Sequence, residues 1–183
     1  MKKVVGAGLL VAMFASSSIV FGDIITLTDV TTFSATGTDS PEDLVASGGQ
    51  FVNKLEGFHD FVTWDHLYTF EPAAQDILSA ELTITLRDDQ FCDGWEFGLL
   101  FREGSWITAG EVDTDDYQFN ANVNAVADGS YRVSLVSLGG DFYIDRSELT
   151  VTYRSASVPE PTTISLLGMG LLGIGLMIRR KKS

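Results

Sequence analysis

Asp88, Asp89, Asp93 and Glu96 place four carboxylates within nine residues. Carboxylates on a loop are what a hard cation needs, and Ca²⁺ takes about six to eight oxygen ligands. The spacing is not that of an EF-hand loop, so calcium held here would sit in an irregular site. Asp113, Asp115 and Asp116 form a second acidic group. The plainer reading of both groups is turn chemistry and edge protection, because Asp favours turns and charge blocks strand pairing. His59 and His66 are the only histidines, and Cys92 is the single cysteine. That set cannot close a structural zinc site. Asp65 stands next to His66, but neighbours on a strand point to opposite faces, a poor arrangement for acid–base work. No serine sits in a Gly-x-Ser-x-Gly elbow. Two carboxylates could serve a glycosidase, yet any acidic domain offers such pairs and their separation is not readable from sequence. Trp64, Trp95, Trp106 and Tyr68 are large enough to stack on sugar rings, and equally suited to filling a core.

These residues must be positioned by strands. No stretch of the central chain has a helical period; short runs with period-two alternation dominate. The clearest runs over residues 80–86, where Ala80, Leu82, Ile84 and Leu86 alternate with Glu81, Thr83 and Thr85. One dry face and one wet face suit an antiparallel sheet. Further strands are expected at 24–28, 50–55, 62–70, 95–101, 105–112, 117–123, 131–138 and 148–153. Residues 34–49 read as a loop with room for one helical turn. Asp128-Gly129 is a hairpin signal, Gly139-Gly140 marks another turn, and Glu71-Pro72 ends a strand. Tyr131, Val133 and Leu135, with Leu149, Val151 and Tyr153, are core candidates. Eight or nine short strands between turns predict an all-β fold: an antiparallel, jelly-roll-like β-sandwich. Cys92, flanked by Phe91 and Trp95, is expected to be buried.

The two ends differ from this body. Met1-Lys2-Lys3 is a positive n-region, residues 4–20 are apolar and small, and Val20-Phe21-Gly22 offers a cleavage site before Asp23. Residues 1–22 therefore read as a secretory signal peptide, which engages the Sec translocon and signal peptidase; a retained anchor is the alternative. The exported body, residues 23–157, carries 24 acidic and 6 basic residues, a formal net charge of −18. Such a surface repels nucleic acid and anionic lipid.

Residues 158–183 are organised in three parts. Pro159 and Pro161 force Val158 and Glu160 into extended backbone, the form in which a protease or transpeptidase binds its substrate. An uncharged span follows at 162–178, with Ile164, Leu166, Leu167, Leu171, Leu172, Ile174, Leu176 and Ile178 as its lipid-facing bulk. As a helix it would run about 25 Å, slightly short of an apolar bilayer core of about 30 Å. Snorkelling stems of the first basic residues cover the difference. Arg179, Arg180, Lys181 and Lys182 hold that end in the cytoplasm. Gly168-x-Gly170-x-x-Gly173 has the letters of a nucleotide fingerprint, but it lies inside this span and follows no strand.

A Pro-Glu-Pro tripeptide, a Gly/Leu-rich span and a terminal Arg/Lys run resemble the PEP-CTERM sorting signal of Gram-negative bacteria. That resemblance implies that an exosortase, an integral-membrane cysteine transpeptidase, recognises Pro159, Glu160 and Pro161 and removes the tail. It implies an exported, inner-membrane-anchored precursor that ends at the cell surface or in the extracellular matrix. The run from Ile77 to Asp89, with Phe70-Glu71-Pro72 before it and Glu96 after it, is similar to a β-sandwich ectodomain of other PEP-CTERM proteins, for which no activity is settled.

The expectation is a surface or matrix protein that works by association, not catalysis, with exopolysaccharide in a biofilm as the implied partner and no required cofactor. A carbohydrate-binding module with a structural calcium and a secreted hydrolase are the alternatives.

Overall fold

The structure is a computed structural model that describes residues 22–89, 95–103 and 105–156, with Gly168 and Gly170 of the tail; the side chains of Trp106 and Ala109 are not among those described. The predicted signal peptide up to residue 21, Cys92, Asp93, the Pro159-Glu160-Pro161 motif, the apolar span other than Gly168 and Gly170, and the basic cluster Arg179 to Lys182 lie outside the described residues. Among the described residues no helix is long and apolar enough to cross a membrane.

Gly22–Ser157 forms a compact unit of its own. It is all β and contains no helix among its described residues. Its strands are β1 (Ile24–Ser34), β2 (Gly37–Thr38), β3 (Leu44–Gly48), β4 (Lys54–Glu56), β5 (Phe61–Leu67), β6 (Ala74–Asp88), β7 (Phe97–Arg102), β8 (Ser105–Glu111), β9 (Asp115–Asn120), β10 (Ser130–Gly139) and β11 (Asp141–Ser155). They make two sheets, ordered β2-β1-β11-β6-β9, with β4 also on β11, and β3-β5-β10-β7-β8. Every ladder is antiparallel. Without the short strands β2, β3 and β4, the two sheets read first-eighth-third-sixth and second-seventh-fourth-fifth, the strand order of a jelly roll.

Alternation explains which face each strand buries. In β6, Ala80, Leu82, Ile84 and Leu86 are all at most 5% exposed, as the sequence pattern requires. Leu149, Val151 and Tyr153 of β11 meet them in the same sheet, and Val62, Trp64, Tyr131, Val133 and Leu135 come from the other. Phe33 stands edge-on to Trp64, with ring centroids 5.0 Å apart. The outward positions of β1 and β11 carry threonines that pair across the ladder, Thr26 with Thr152 and Thr28 with Thr150. Burying each large aliphatic side chain stabilises the sandwich by about 1.5–3 kcal/mol.

Several local expectations need correction. The strand expected at 50–55 is only Lys54–Glu56; residues 51–53 are irregular, tied by the Val52 N–H to the Ala35 carbonyl. The expected loop at 34–49 contains β2 and β3, and between them residues 41–43 form a single hydrogen-bonded turn, with the Asp43 N–H donating to the Ser40 carbonyl at 3.0 Å. Asp128-Gly129 does not close a hairpin, because the strands on either side, β9 and β10, belong to different sheets. Gly129 is nevertheless required: its φ is +87°, and a Cβ there would lie 2.7 Å from the Tyr68 carbonyl oxygen. The turn at Gly139-Gly140 is where expected and carries the chain from one sheet to the other.

Leu149→Ala should lower the unfolding free energy by about 2–5 kcal/mol, seen as a lower denaturant midpoint at unchanged slope. The outward-facing neighbour change Thr150→Ala should stay within about 0.5 kcal/mol.

Candidate functional site

Three of the four predicted cation ligands converge. Asp88 closes β6, Asp89 follows it, and Glu96 precedes β7. One carboxylate oxygen from each lies within 4.8 Å of the others. The backbone holds them in place: Asp88 N–H donates to Thr114 Oγ1, and the Glu96 carbonyl accepts from Val112 N–H at 2.8 Å. Gly140 packs against Glu96 so closely that an added Cβ would sit 2.7 Å from its Cγ.

A cation from the protein itself already reaches this group. Lys54 Nζ lies 2.9 Å from Asp141, 3.0 Å from Glu56 and 3.0 Å from Asp89. Hydrogen bonds to Asp141, then to Glu56, hold the ammonium pKa well above the usual lysine value. A raised lysine pKa stabilises the fold at every pH below the unfolded value, and the contribution fades only as pH rises through the folded one. Asp89 Oδ2 is thus neutralised, while its Oδ1 is buried without a hydrogen-bond partner. Asp88, Asp89 and Glu96 together could hold a divalent cation beside Lys54, supplying part of its oxygen shell. Asp113, Asp115 and Asp116 do other work. Asp113 N–H donates to Tyr117 Oη at 2.7 Å, Asp115 Oδ1 accepts from Asp116 N–H, and Asp116 Oδ1 accepts from Thr85 Oγ1 at 2.6 Å. They shape a turn and put charge on the edge strand β9.

A second polar cluster was not legible in the sequence. His66 is fully buried. Its Nδ1 lies 2.8 Å from Asp29 Oδ2, and its Nε2 lies 2.9 Å from Ser147 Oγ. Trp64 Nε1–H donates to the same Nε2 at 3.3 Å. Indole is only a donor, so Nε2 is an acceptor and the proton sits on Nδ1, facing Asp29. Serine, histidine and aspartate in this order have the connectivity of a hydrolytic triad. A nucleophile must touch its substrate, whereas Ser147 has no exposed surface. The cluster reads as a satisfied polar inclusion tying β1, β5 and β11 together. Asp65, the sequence neighbour of His66, turns to the outer face and forms a two-pronged pair with Arg132, both bonds 2.7 Å long. Nearby Asp43 is pushed above the usual carboxylate pKa by burial, opposed by a hydrogen bond from Thr31.

The aromatic candidates part company. Trp64 is core. Tyr68 is half-buried and donates to the Val126 carbonyl at 2.7 Å. Trp95 is 74% exposed and stacks on Phe97, with ring centroids 6.0 Å apart and planes 29° apart. His59 sits in a turn at φ +84°, its ring against the exposed Phe58. On the outer face of β9, β6 and β11 lies a shallow polar groove of about 460 Å³, lined by Thr83, Gln118, Arg146 and Glu148 among others.

Residues 157–181 match the PEP-CTERM protein-sorting motif. The motif indicates a protein that is exported, anchored in a membrane and then processed toward the cell surface, and it is the recognition signal of an exosortase. No functionally curated protein matches the chain. Among solved structures, a family two carbohydrate esterase from Cellvibrio japonicus shares 10% identity over 74% of this chain, with a TM-score of 0.42. The match spans 38% of the esterase chain. The CBM36-1 domain of a multidomain xylanase from the hindgut metagenome of Trinervitermes trinervoides shares 16% identity over 72% of this chain and 100% of its own, at a TM-score of 0.37. FLHE shares 10% identity over 72% and 97%, at 0.38. These likenesses are too loose to carry function.

Millimolar Ca²⁺ should raise the melting temperature of the full-length chain in detergent, and Asp88→Asn should abolish the shift. Lys54→Met should cost about 1–3 kcal/mol, because it leaves the carboxylates of Glu56, Asp89 and Asp141 without their shared charged donor. Asp29→Leu should cost about 1–3 kcal/mol by leaving the His66 N–H unpaired, and Asp29→Asn, which keeps an acceptor, should cost clearly less. Chemical denaturation of each variant checks these values.

Proposed function

We propose that this chain is an exosortase-sorted protein of the cell surface or extracellular matrix of a Gram-negative bacterium, and that its acidic β-sandwich works by association with exopolysaccharide and not by catalysis. The observation that carries the reading is the sorting motif at residues 157–181, placed directly after the compact unit Gly22–Ser157. In this reading the amino-terminal segment sends the body through the Sec translocon and signal peptidase removes it. The apolar span 162–178 then holds the precursor in the inner membrane. Exosortase binds the extended Pro159-Glu160-Pro161 and cuts nearby. The basic residues 179–182 stay on the cytoplasmic side.

A second reading makes the body a carbohydrate-binding module with a structural calcium. Two observations favour it: the exposed stack of Trp95 on Phe97 and the convergence of Asp88, Asp89 and Glu96. The sealed Ser147 supports no corresponding case for a hydrolase.

Replacing Pro159, Glu160 and Pro161 together by alanine should leave the tail uncut. Immunoblots of fractionated cells should then show the longer form in the inner membrane and none at the surface. Processing at the wild-type rate would remove the sorting reading.

A further inference from the structure

Trp95 leaves a large apolar ring in water at one end of the outer face of the β3-β5-β10-β7-β8 sheet. Phe97, 36% exposed, lies beside it on the same side of the chain, and Glu96 between them points inward and is buried. Leu138, 40% exposed, precedes Gly139, the β10 partner of Phe97. A contiguous exposed apolar patch on a soluble domain marks a contact site. This one is rigid. Phe97 is paired on both sides, to Gly139 and to Glu111, and the Glu96 carbonyl is bonded to Val112.

The patch has a charge at its margin. Glu111 is the cross-strand partner of Phe97 on β8 and is exposed. Directly opposed residues share a face, with Cβ atoms about 5 Å apart, so a carboxylate stands beside the aromatic pair. The body around it carries −18. Arg132, on the same outer face, is engaged by Asp65. A ligand rich in carboxylate or sulfate would be repelled here, and a second copy of the body would bring another −18.

We propose that Trp95 and Phe97 form a pyranose subsite with Glu111 as its polar edge, selective for amino-sugar residues that carry a protonated amine. The aromatic rings take the apolar C–H face of the sugar, and the carboxylate takes the ammonium as a charge-assisted hydrogen bond. This rests on the reading of the body as a glycan-associating domain and names the glycan class: basic, not anionic.

The test uses the full-length chain in detergent and three oligosaccharide probes: glucosamine oligomers, N-acetylglucosamine oligomers and uronate oligomers. Calorimetry should show glucosamine oligomers binding most tightly, weakening as salt is raised, and uronate oligomers not binding. Trp95→Ala should weaken glucosamine-oligomer binding about tenfold or more at unchanged melting temperature. Glu111→Gln should weaken glucosamine-oligomer binding toward the level of the N-acetylated probe and lessen its salt dependence, leaving only the part due to the acidic body as a whole. Wild-type affinity in Trp95→Ala would overturn the subsite while leaving the glycan reading intact. Equal affinity for uronate oligomers would overturn the charge selection. Absence of binding by all three probes, with the tail still processed in cells, would overturn the subsite and leave sorting standing. Self-association that Trp95→Ala abolishes would assign the patch to a second copy and overturn the proposal.

Discussion

Strand β11 is hydrogen-bonded along both edges, to β1 on one side and to β6 on the other, over most of its 15 residues. Its inward residues Phe142, Ile144, Leu149, Val151 and Tyr153 are at most 1% exposed. A strand with both edges paired has no backbone groups left to satisfy, so its side chains alone decide its two faces. The alternation of β11 then commits both sheets in two runs separated by a bulge at Asp145: Phe142 and Ile144 point inward before it, Ser147, Leu149, Val151 and Tyr153 after it, and outward Glu148, Thr150 and Thr152 define a wet face. A slip of one position would turn every one of these around. Bulges beside Ile144 and at the Thr152–Arg154 end absorb local irregularities while the inward set stays buried.

Two polar side chains that enter the interior, His66 and Lys54, are answered there by several partners each. His66 sits inside the sandwich with both ring nitrogens engaged, and it draws partners from β1 and β11 as well as its own strand. An imidazole there without Asp29 and Ser147 would cost more than an apolar side chain of similar size. Lys54 answers carboxylates from three separate segments in the same way. Its largely buried ammonium is compensated threefold, which gives it a different standing from the exposed pair of Arg87 and Asp145. Placing Lys54 among Glu56, Asp89 and Asp141 also ties short β4 to the ends of β6 and β11.

The outer faces diverge because nothing in the fold constrains them. One sheet presents hydroxyls, amides and charges around the polar groove. The other exposes Phe97 and Leu138 beside Trp95. With a body this acidic, water solubility does not depend on keeping that second face polar. In the proposed sorting route the tail makes a separate demand, a span suited to lipid followed by basic residues suited to water, so that body and tail would follow opposite solvent rules within one chain.

Fold class was legible because period-two alternation is a local pattern. Residues 80–86 announce their buried and wet faces with no knowledge of their partners, and the sorting motif is equally local, since Pro159 and Pro161 act on their own neighbours. The convergence of Asp88, Asp89 and Glu96 was half legible, as closeness in sequence does not ensure closeness in space across a turn. Strand ends were less so: β6 begins at Ala74 because β11 extends far enough to pair with it, a fact that lives on the partner. The union of His66 with Asp29 and Ser147, the arrival of Lys54 among the carboxylates, and the burial of Trp64 against the exposure of Trp95 were decided by the tertiary structure alone. Each depends on which strands lie side by side or face to face, and the packing of two sheets, not the order of residues along one strand, settles that.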